Sequence, residues 1–194
     1  MLARAMSAPP SGSRRLSFPS KCERRPSWLP ASLKVQPTVE NPETDLEQRA
    51  RLAANLTAML ADAYVLMVKT QGFHWNVVGP LFVSLHQLTE QQYQDLFGTI
   101  DDIAERIRAL GYPAPTSIVD LMPHSAIAEA HVSNFSAEQM VSALISDHET
   151  VSRRLRDAVE VAEDLRDAAT ADMLTARLQA HEKAVWMLRA TIAS

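Results

Sequence analysis

Between Thr70 and Gly111, two histidines and two carboxylates lie in a pattern that can bind iron. His74 and His86 lie on either side of a Gly-Pro pair, and Asp101 and Glu105 follow at helical spacing. Imidazole and carboxylate together suit Fe(II), and no cysteine lies nearby to favour a thiolate site. We therefore interpret these four residues as metal ligands and as the residues that would carry any iron chemistry.

The candidate ligands after the Gly-Pro pair share one face of a predicted helix. At 3.6 residues per turn, an arc of about 100° contains His86, Glu90, Asp101 and Glu105. However, His86 and Asp101 are separated by roughly 22 Å at 1.5 Å of rise per residue, too far to hold one metal ion. A second copy, antiparallel across a two-fold axis, would place its carboxylates opposite the histidines. The sequence therefore predicts two identical metal sites between two subunits.

Apolar residues recur every three or four positions in four long segments, which predicts four amphipathic helices. The first begins at Asp45 and runs to the Gly79-Pro80 break, and the second runs from near Leu81 to Gly111. Ser136 and a glutamine three residues later indicate a capping box for the third, and the fourth carries residues 174–192. Residues 116–135 form a connector with a short helix ending before Pro123. The expected fold is all-α, a four-helix bundle with a long middle connection.

Residues 1–44 differ in composition from the rest and are predicted to be a disordered extension, with the bundle occupying 45–194. The extension is rich in Pro, Ser and Arg and contains the single cysteine, Cys22. Three explanations stay open: a nucleic-acid-binding arm, a targeting peptide, or translation from an upstream start. If it binds DNA, the candidate contacts are Arg14, Arg15, Lys21, Arg24 and Arg25.

Charge is distributed unevenly along the 194 residues. Residues 1–39 hold seven Lys and Arg against one Glu, which gives them a formal charge of +6. Because the whole chain has a net charge of −4, the remaining residues carry −10. An acidic body favours cations, whereas a basic arm favours polyanions. The sequence contains no run of eighteen apolar residues, so it does not predict a membrane span. The lone cysteine indicates a reducing compartment, so the expected location is the cytoplasm, at the nucleoid if DNA is bound.

Several stretches resemble the Dps family, the starvation-induced DNA-protecting mini-ferritins. The resemblance covers about residues 45–194. Its most specific part is the spacing from His74-Trp75-Asn76 to Ala104-Glu105-Arg106. The segment from His181 to Arg189 is similar to the family's C-terminal signature. The bundle is thus expected to be ferritin-like.

The resemblance implies a di-iron site at a dimer two-fold, with His74 and His86 from one subunit and Asp101 and Glu105 from its mate. The family usually has Asp where this chain has Glu90, which would serve as a further iron ligand. Trp75 would either cover the iron pair or pack at the dimer interface. The acidic residues expected to line an iron-uptake pore are Asp164, Asp167 and Asp172.

Two functions are compatible with this resemblance. The first is a ferroxidase that assembles as a hollow dodecamer, oxidises Fe(II) preferentially with hydrogen peroxide, stores the ferric mineral and protects DNA. The second is a structural nucleoid protein that compacts DNA without sequence preference. The Glu-x-x-His pattern of other ferritin-like di-iron proteins is absent, because no histidine has a Glu three residues before it. His148 and His181 fall on core stripes and are expected to be structural.

Overall fold

The computed structural model describes residues 45–130 and 135–193. Within these ranges the fold is all-helical, as predicted: α1 Leu46–Asn76, α2 Phe82–Ala109, α3 Ile118–Leu121, α4 Ala137–Asp164 and α5 Ala168–Thr191. The short helix α3 ends before Pro123, as predicted, and a 3₁₀ turn, Met122–His124, follows it directly and contains Pro123. The predicted extension, residues 1–44 with its five candidate DNA contacts, lies outside the described residues.

Side-chain caps set where the long helices begin. Asp45 and Gln48 form a capping box at the start of α1, with hydrogen bonds of 2.9 and 2.8 Å. Ser136 and Gln139 form the predicted capping box of α4. Each box satisfies two backbone N–H groups that a helix N-terminus otherwise leaves without partners.

Two short connections make antiparallel helix pairs. Between α1 and α2, Gly79 has φ +91°, a left-handed conformation that reverses the chain at little steric cost for glycine. The connection from α4 to α5 spans only residues 165–167. Helix α1 packs along α2, α4 packs along α5, and α1 also contacts α4. Their shared interior is filled by fully buried side chains such as Leu56, Leu96, Leu144 and Leu174.

Helix α1 is the one helix among the described residues whose length and composition would allow a membrane crossing. However, 61% of its most apolar window is buried within the protein. A long, apolar and largely buried helix is what the centre of a helical bundle requires. The burial of α1 is therefore explained by the bundle itself.

The long connection between α2 and α4 is fastened to the bundle by Asp62 of α1. The Asp62 carboxylate is 0% exposed and accepts hydrogen bonds from Ser125 Oγ (3.0 Å) and the Ala126 backbone N–H (2.7 Å). Arg154 of α4 donates to the same carboxylate and, at 3.1 Å, to the backbone carbonyl of His124. Because burial disfavours the charged form, the pKa of Asp62 is raised even though Arg154 opposes the shift.

Candidate metal centre

The turn between α1 and α2 brings two of the predicted ligands together. His74 lies in the last turn of α1 and His86 near the start of α2. Their rings stack, with centroids 3.8 Å apart and planes inclined by 16°. His74 is only 7% exposed, whereas His86 is half-buried. The reversal at Gly79 thus converts a separation of twelve residues into a parallel pair of imidazoles.

Reciprocal hydrogen bonds fix the orientation of these two rings. His74 Nδ1 lies 2.8 Å from the backbone oxygen of His86, and His86 Nδ1 lies 2.9 Å from the backbone oxygen of His74. Because a carbonyl oxygen can only accept, each Nδ1 must carry the donated hydrogen. In the neutral rings both Nε2 atoms are then unprotonated and able to bind a metal ion. The hydrogen bonds therefore stabilise the Nδ1–H tautomer of both rings, which is the tautomer that metal binding through Nε2 requires.

Aromatic side chains support the pair on both sides. The ring of Tyr93 meets His74 edge-on, with centroids 5.3 Å apart, and the ring of Phe82 stacks on His86 at 5.0 Å. Both neighbours are on α2, which also contributes His86. Such contacts restrict the rotation of the imidazoles and hold the Nε2 atoms in one direction.

The carboxylates predicted to complete the site do not join the histidines within one chain. Glu90 is half-buried, and Asp101 and Glu105 are exposed further along α2. In the part of the chain that the structure describes, no group of three or more metal-binding side chains comes together. One chain therefore presents the histidines at the α1–α2 turn and Asp101 and Glu105 further along α2, which leaves the predicted two-fold pairing as a prediction.

Exposed apolar side chains lie close to the two histidines in the sequence. Trp75, immediately after His74, is 67% exposed, and Val78 and Val83 in and after the turn are also exposed. In a single chain Trp75 does not cover the imidazoles in the way a shielding residue would. A cluster of large apolar residues on the surface is typical of an interface with another protein chain.

The three candidate pore residues have different surroundings. Asp164 and Asp172 are exposed, whereas Asp167 is 2% exposed at the start of α5. Burial alone would raise the pKa of Asp167, but hydrogen bonds from Arg106 and Thr170 lower it overall. Asp167 accepts from Arg106 at 2.7 and 2.8 Å and caps α5 through the Thr170 N–H at 3.0 Å. Its geometry is that of a helix cap and ion-pair partner, not of a channel lining.

Sequence reasoning did not find the role of Arg106. This residue directly follows Glu105, and it links the end of α2 to the start of α5 through Asp167 and Thr170. The Arg106 side chain therefore fixes the rotation of the part of α2 that carries Asp101 and Glu105. The sequence shows only that an arginine follows the candidate ligand in the Ala-Glu-Arg stretch, and the structure identifies Asp167 as its partner.

A helical bundle with two imidazoles at the turn between its first two helices, and with carboxylates along the second, has the architecture of a ferritin-like protein. In agreement, a family model described as a ferritin-like domain matches residues 53–194. A DNA protection during starvation protein of Brevibacillus brevis is 39% identical over 72% of this chain and 93% of its own length. An uncharacterized low temperature-induced protein of Nostoc sp. is 44% identical over 75% of this chain and 82% of its own.

Solved structures agree with the sequence matches. The crystal structure of a Dps protein from Bacillus brevis superposes with a TM-score of 0.74 at 36% identity, covering 77% of this chain and 99% of that one. A Dps protein from Vibrio cholerae, described as a member of the ferritin-like diiron-carboxylate superfamily, has a TM-score of 0.72 at 29% identity, covering 80% and 100%. The chain belongs to the Dps family of ferritin-like proteins.

Proposed function

We propose that this protein is a ferroxidase that oxidises Fe(II) at a site shared between two copies of the chain. The observation that carries this proposal is the reciprocally bonded pair, His74 and His86, whose Nε2 atoms are left free by their Nδ1 hydrogen bonds. Two preset imidazole ligands need carboxylates to hold and neutralise a ferrous ion. Asp101 and Glu105 of a second copy would supply them, and Glu90 would add a further oxygen ligand.

Iron is the substrate in this proposal, and hydrogen peroxide is the proposed oxidant. Two Fe(II) each give one electron, the O–O bond of one peroxide breaks, and two protons complete two water molecules. The protein's part is to bind and orient the ferrous ions, because imidazole nitrogens and carboxylate oxygens are positioned before the reaction. Both electrons from a pair of irons go to one peroxide, which suppresses the release of hydroxyl radical.

Oxidation and storage would require assembly. The exposed apolar residues around the histidines, among them Trp75 and Val78, favour burial against a second copy. By family resemblance we extend this to a hollow dodecamer in which ferric mineral accumulates. Exposed Asp164 and Asp172 remain the proposed pore residues, because carboxylates at a pore attract cations.

Mixed dimers test whether the site is shared. One variant, His74→Ala/His86→Ala, lacks the imidazoles, and the other, Asp101→Asn/Glu105→Gln, lacks the carboxylates. Each should lose rapid peroxide-dependent Fe(II) oxidation in stopped flow. In a mixed dimer one of the two sites would receive all four ligands, so equal co-expression should restore about a quarter of the wild-type sites.

Two further measurements make this test decisive. Asp102→Asn, an exposed carboxylate next to Asp101, is the matched control and should keep the wild-type rate. Size exclusion of every variant shows whether assembly survives the substitutions. Inactive pure variants that stay inactive after co-expression, although the mixed dimers have formed, would contradict a site shared between copies.

A second candidate function is DNA protection by direct binding. The charge of +6 in residues 1–39 favours it, since such a segment repeated in an assembly would attract phosphates regardless of sequence. Relatives of this chain carry the name DNA protection during starvation protein. Stress protection in the cytoplasm, at the nucleoid, is the setting that joins both candidate functions.

A further inference from the structure

A second polar site lies between α2, α4 and α5 and is lined by none of the candidate metal ligands. A cavity of about 240 Å³ opens between α2 and α5. Its charged and histidine side chains are Asp95 from α2, His148 from α4, and Arg177, His181 and Lys183 from α5. Because α2 and α5 contact each other less than the paired helices do, this side of the bundle has room for a ligand.

The two histidines of this site bond to each other. Their Nδ1 atoms are 2.8 Å apart, so one ring donates its hydrogen and the other accepts it. His148 is 3% exposed, and burial lowers the pKa of both imidazoles. When His181 donates, the Nε2 atom of His148 carries a hydrogen that can itself be donated. This pair is therefore neutral at physiological pH, and His148 Nε2–H can donate a hydrogen bond.

Four polar atoms of residues that line the cavity, one of them in this pair, have no hydrogen-bond partner among the described residues. They are Nε2 of His148, Nε of Arg177, and both Oε1 and Nε2 of Gln92. All four are shielded from bulk water. Buried polar groups in folded proteins nearly always have partners, so a group of four in one place requires an explanation. A ligand in the adjacent cavity would provide one, because Gln92, His148 and Arg177 all line that cavity.

The chemistry of these atoms favours an oxyanion over a metal ion. Three of the four can donate a hydrogen: Arg177 Nε, Gln92 Nε2 and His148 Nε2. Asp95 offsets Arg177 through two hydrogen bonds, while Lys183 adds a second positive charge, so the lining carries a net positive charge. A metal ion would meet the Arg177 guanidinium, and the Nδ1 atoms are already used by each other. The one remaining acceptor, Gln92 Oε1, suits a ligand hydroxyl.

We infer that this cavity binds a small protonated oxyanion of the hydrogen phosphate or bicarbonate class. Gln92, His148 and Arg177 donate to its oxygens, and the Gln92 carbonyl accepts from its hydroxyl. Lys183, exposed at the cavity mouth, attracts the anion. This site is independent of the proposed ferroxidase ligands, because none of its residues belongs to the His74 and His86 pair or to the carboxylates after it.

Calorimetric titration with inorganic phosphate tests the inference on the full-length, assembled protein after chelation of metals. The wild type should bind one phosphate per chain, and bicarbonate should compete while chloride should not. Gln92→Leu, of similar volume, should weaken binding about tenfold, since it removes hydrogen bonds to a charged ligand. Arg177→Gln/Asp95→Asn should weaken binding at least as much without changing the formal charge of the site.

The matched control is Arg156→Gln/Glu182→Gln. This exposed arginine–carboxylate pair also involves α5 but lies outside the cavity, so the variant should bind phosphate as the wild type does. Absence of phosphate binding in the wild type would overturn the inference. So would equal binding by all variants, which would place the phosphate on the basic N-terminal residues. Fe(II) oxidation rates measured in parallel show that the ferroxidase proposal can fail or hold separately.

Discussion

The partner of each histidine Nδ1 decides what the other ring nitrogen can do. His74 and His86 give their Nδ1 hydrogens to backbone carbonyls, so both Nε2 atoms stay available as ligands. His148 and His181 share one hydrogen between their Nδ1 atoms inside the bundle, as expected for structural core histidines. The same residue type thus forms a candidate ligand pair at the α1–α2 turn and a polar pair in the interior, and the hydrogen bonds of the two pairs differ.

The interior pair makes stability depend on pH. Burial, with a smaller contribution from Arg177 and an opposing one from Asp95, lowers the pKa of His148 to about 4. In the unfolded chain this pKa is about 6.5. Because the pKa of His148 is lower in the folded than in the unfolded chain, protonation favours the unfolded chain. The contribution of neutral His148 to the free energy of unfolding is therefore fully present above pH ~6.5 and is lost as the pH falls toward about 4. The loss at pH 4 is about 3 kcal/mol of the free energy of unfolding.

Urea denaturation at fixed protein concentration, in phosphate-free buffer at pH 7 and pH 4.5, measures this effect. The wild type should lose more stability between the two pH values than His148→Gln/His181→Gln, whose amides do not titrate. His124→Gln, in the connector outside the core, should behave like the wild type. An equal pH dependence in the wild type and the double variant would show that this pair does not contribute.

At the scale of the elements, one carboxylate holds the long connector in place. Asp62→Ala should reduce the free energy of unfolding by roughly 3 kcal/mol, because it removes the carboxylate partner of Arg154 and an acceptor of Ser125, and leaves the Ala126 N–H without its acceptor. Asp62→Asn should cost less, since an amide oxygen still accepts a hydrogen bond. Arg156→Ala breaks an exposed ion pair and should change stability by less than about 1 kcal/mol. Similar losses in Asp62→Ala and Arg156→Ala would contradict this role.

The helices were predictable from the sequence to within a few residues because apolar period, caps and the Gly-Pro break all act locally. The second helix was expected from near Leu81 and begins at Phe82, and the Ser136 capping box is confirmed. The connector was not predictable, since its position depends on Asp62, some sixty residues earlier in the chain. The stacking of His74 on His86 depends likewise on two carbonyl bonds that no spacing reveals.

At the scale of the whole molecule, the single chain exposes large apolar side chains in more than one region. Trp75 and Val83 lie exposed near the histidines, while Phe97 and Trp186 are exposed elsewhere on α2 and α5. More than one exposed apolar region favours an assembly with more than one type of contact between copies. Such an assembly would repeat the N-terminal residues many times around an acidic body of −10 per chain.

This charge distribution predicts that any DNA binding depends on residues 1–39. Deleting them leaves the Asp45 cap of α1 intact and should abolish the mobility shift of duplex DNA at low salt, because the remaining body repels phosphates. Replacing Arg14, Arg15, Lys21, Arg24 and Arg25 with Gln should weaken binding and flatten the dependence of log K on log salt, whose slope reflects the phosphates neutralised. Arg153→Gln, an exposed arginine on α4, should leave both affinity and slope unchanged. An undiminished shift after the deletion would locate DNA binding on the bundle and assign the basic segment another role.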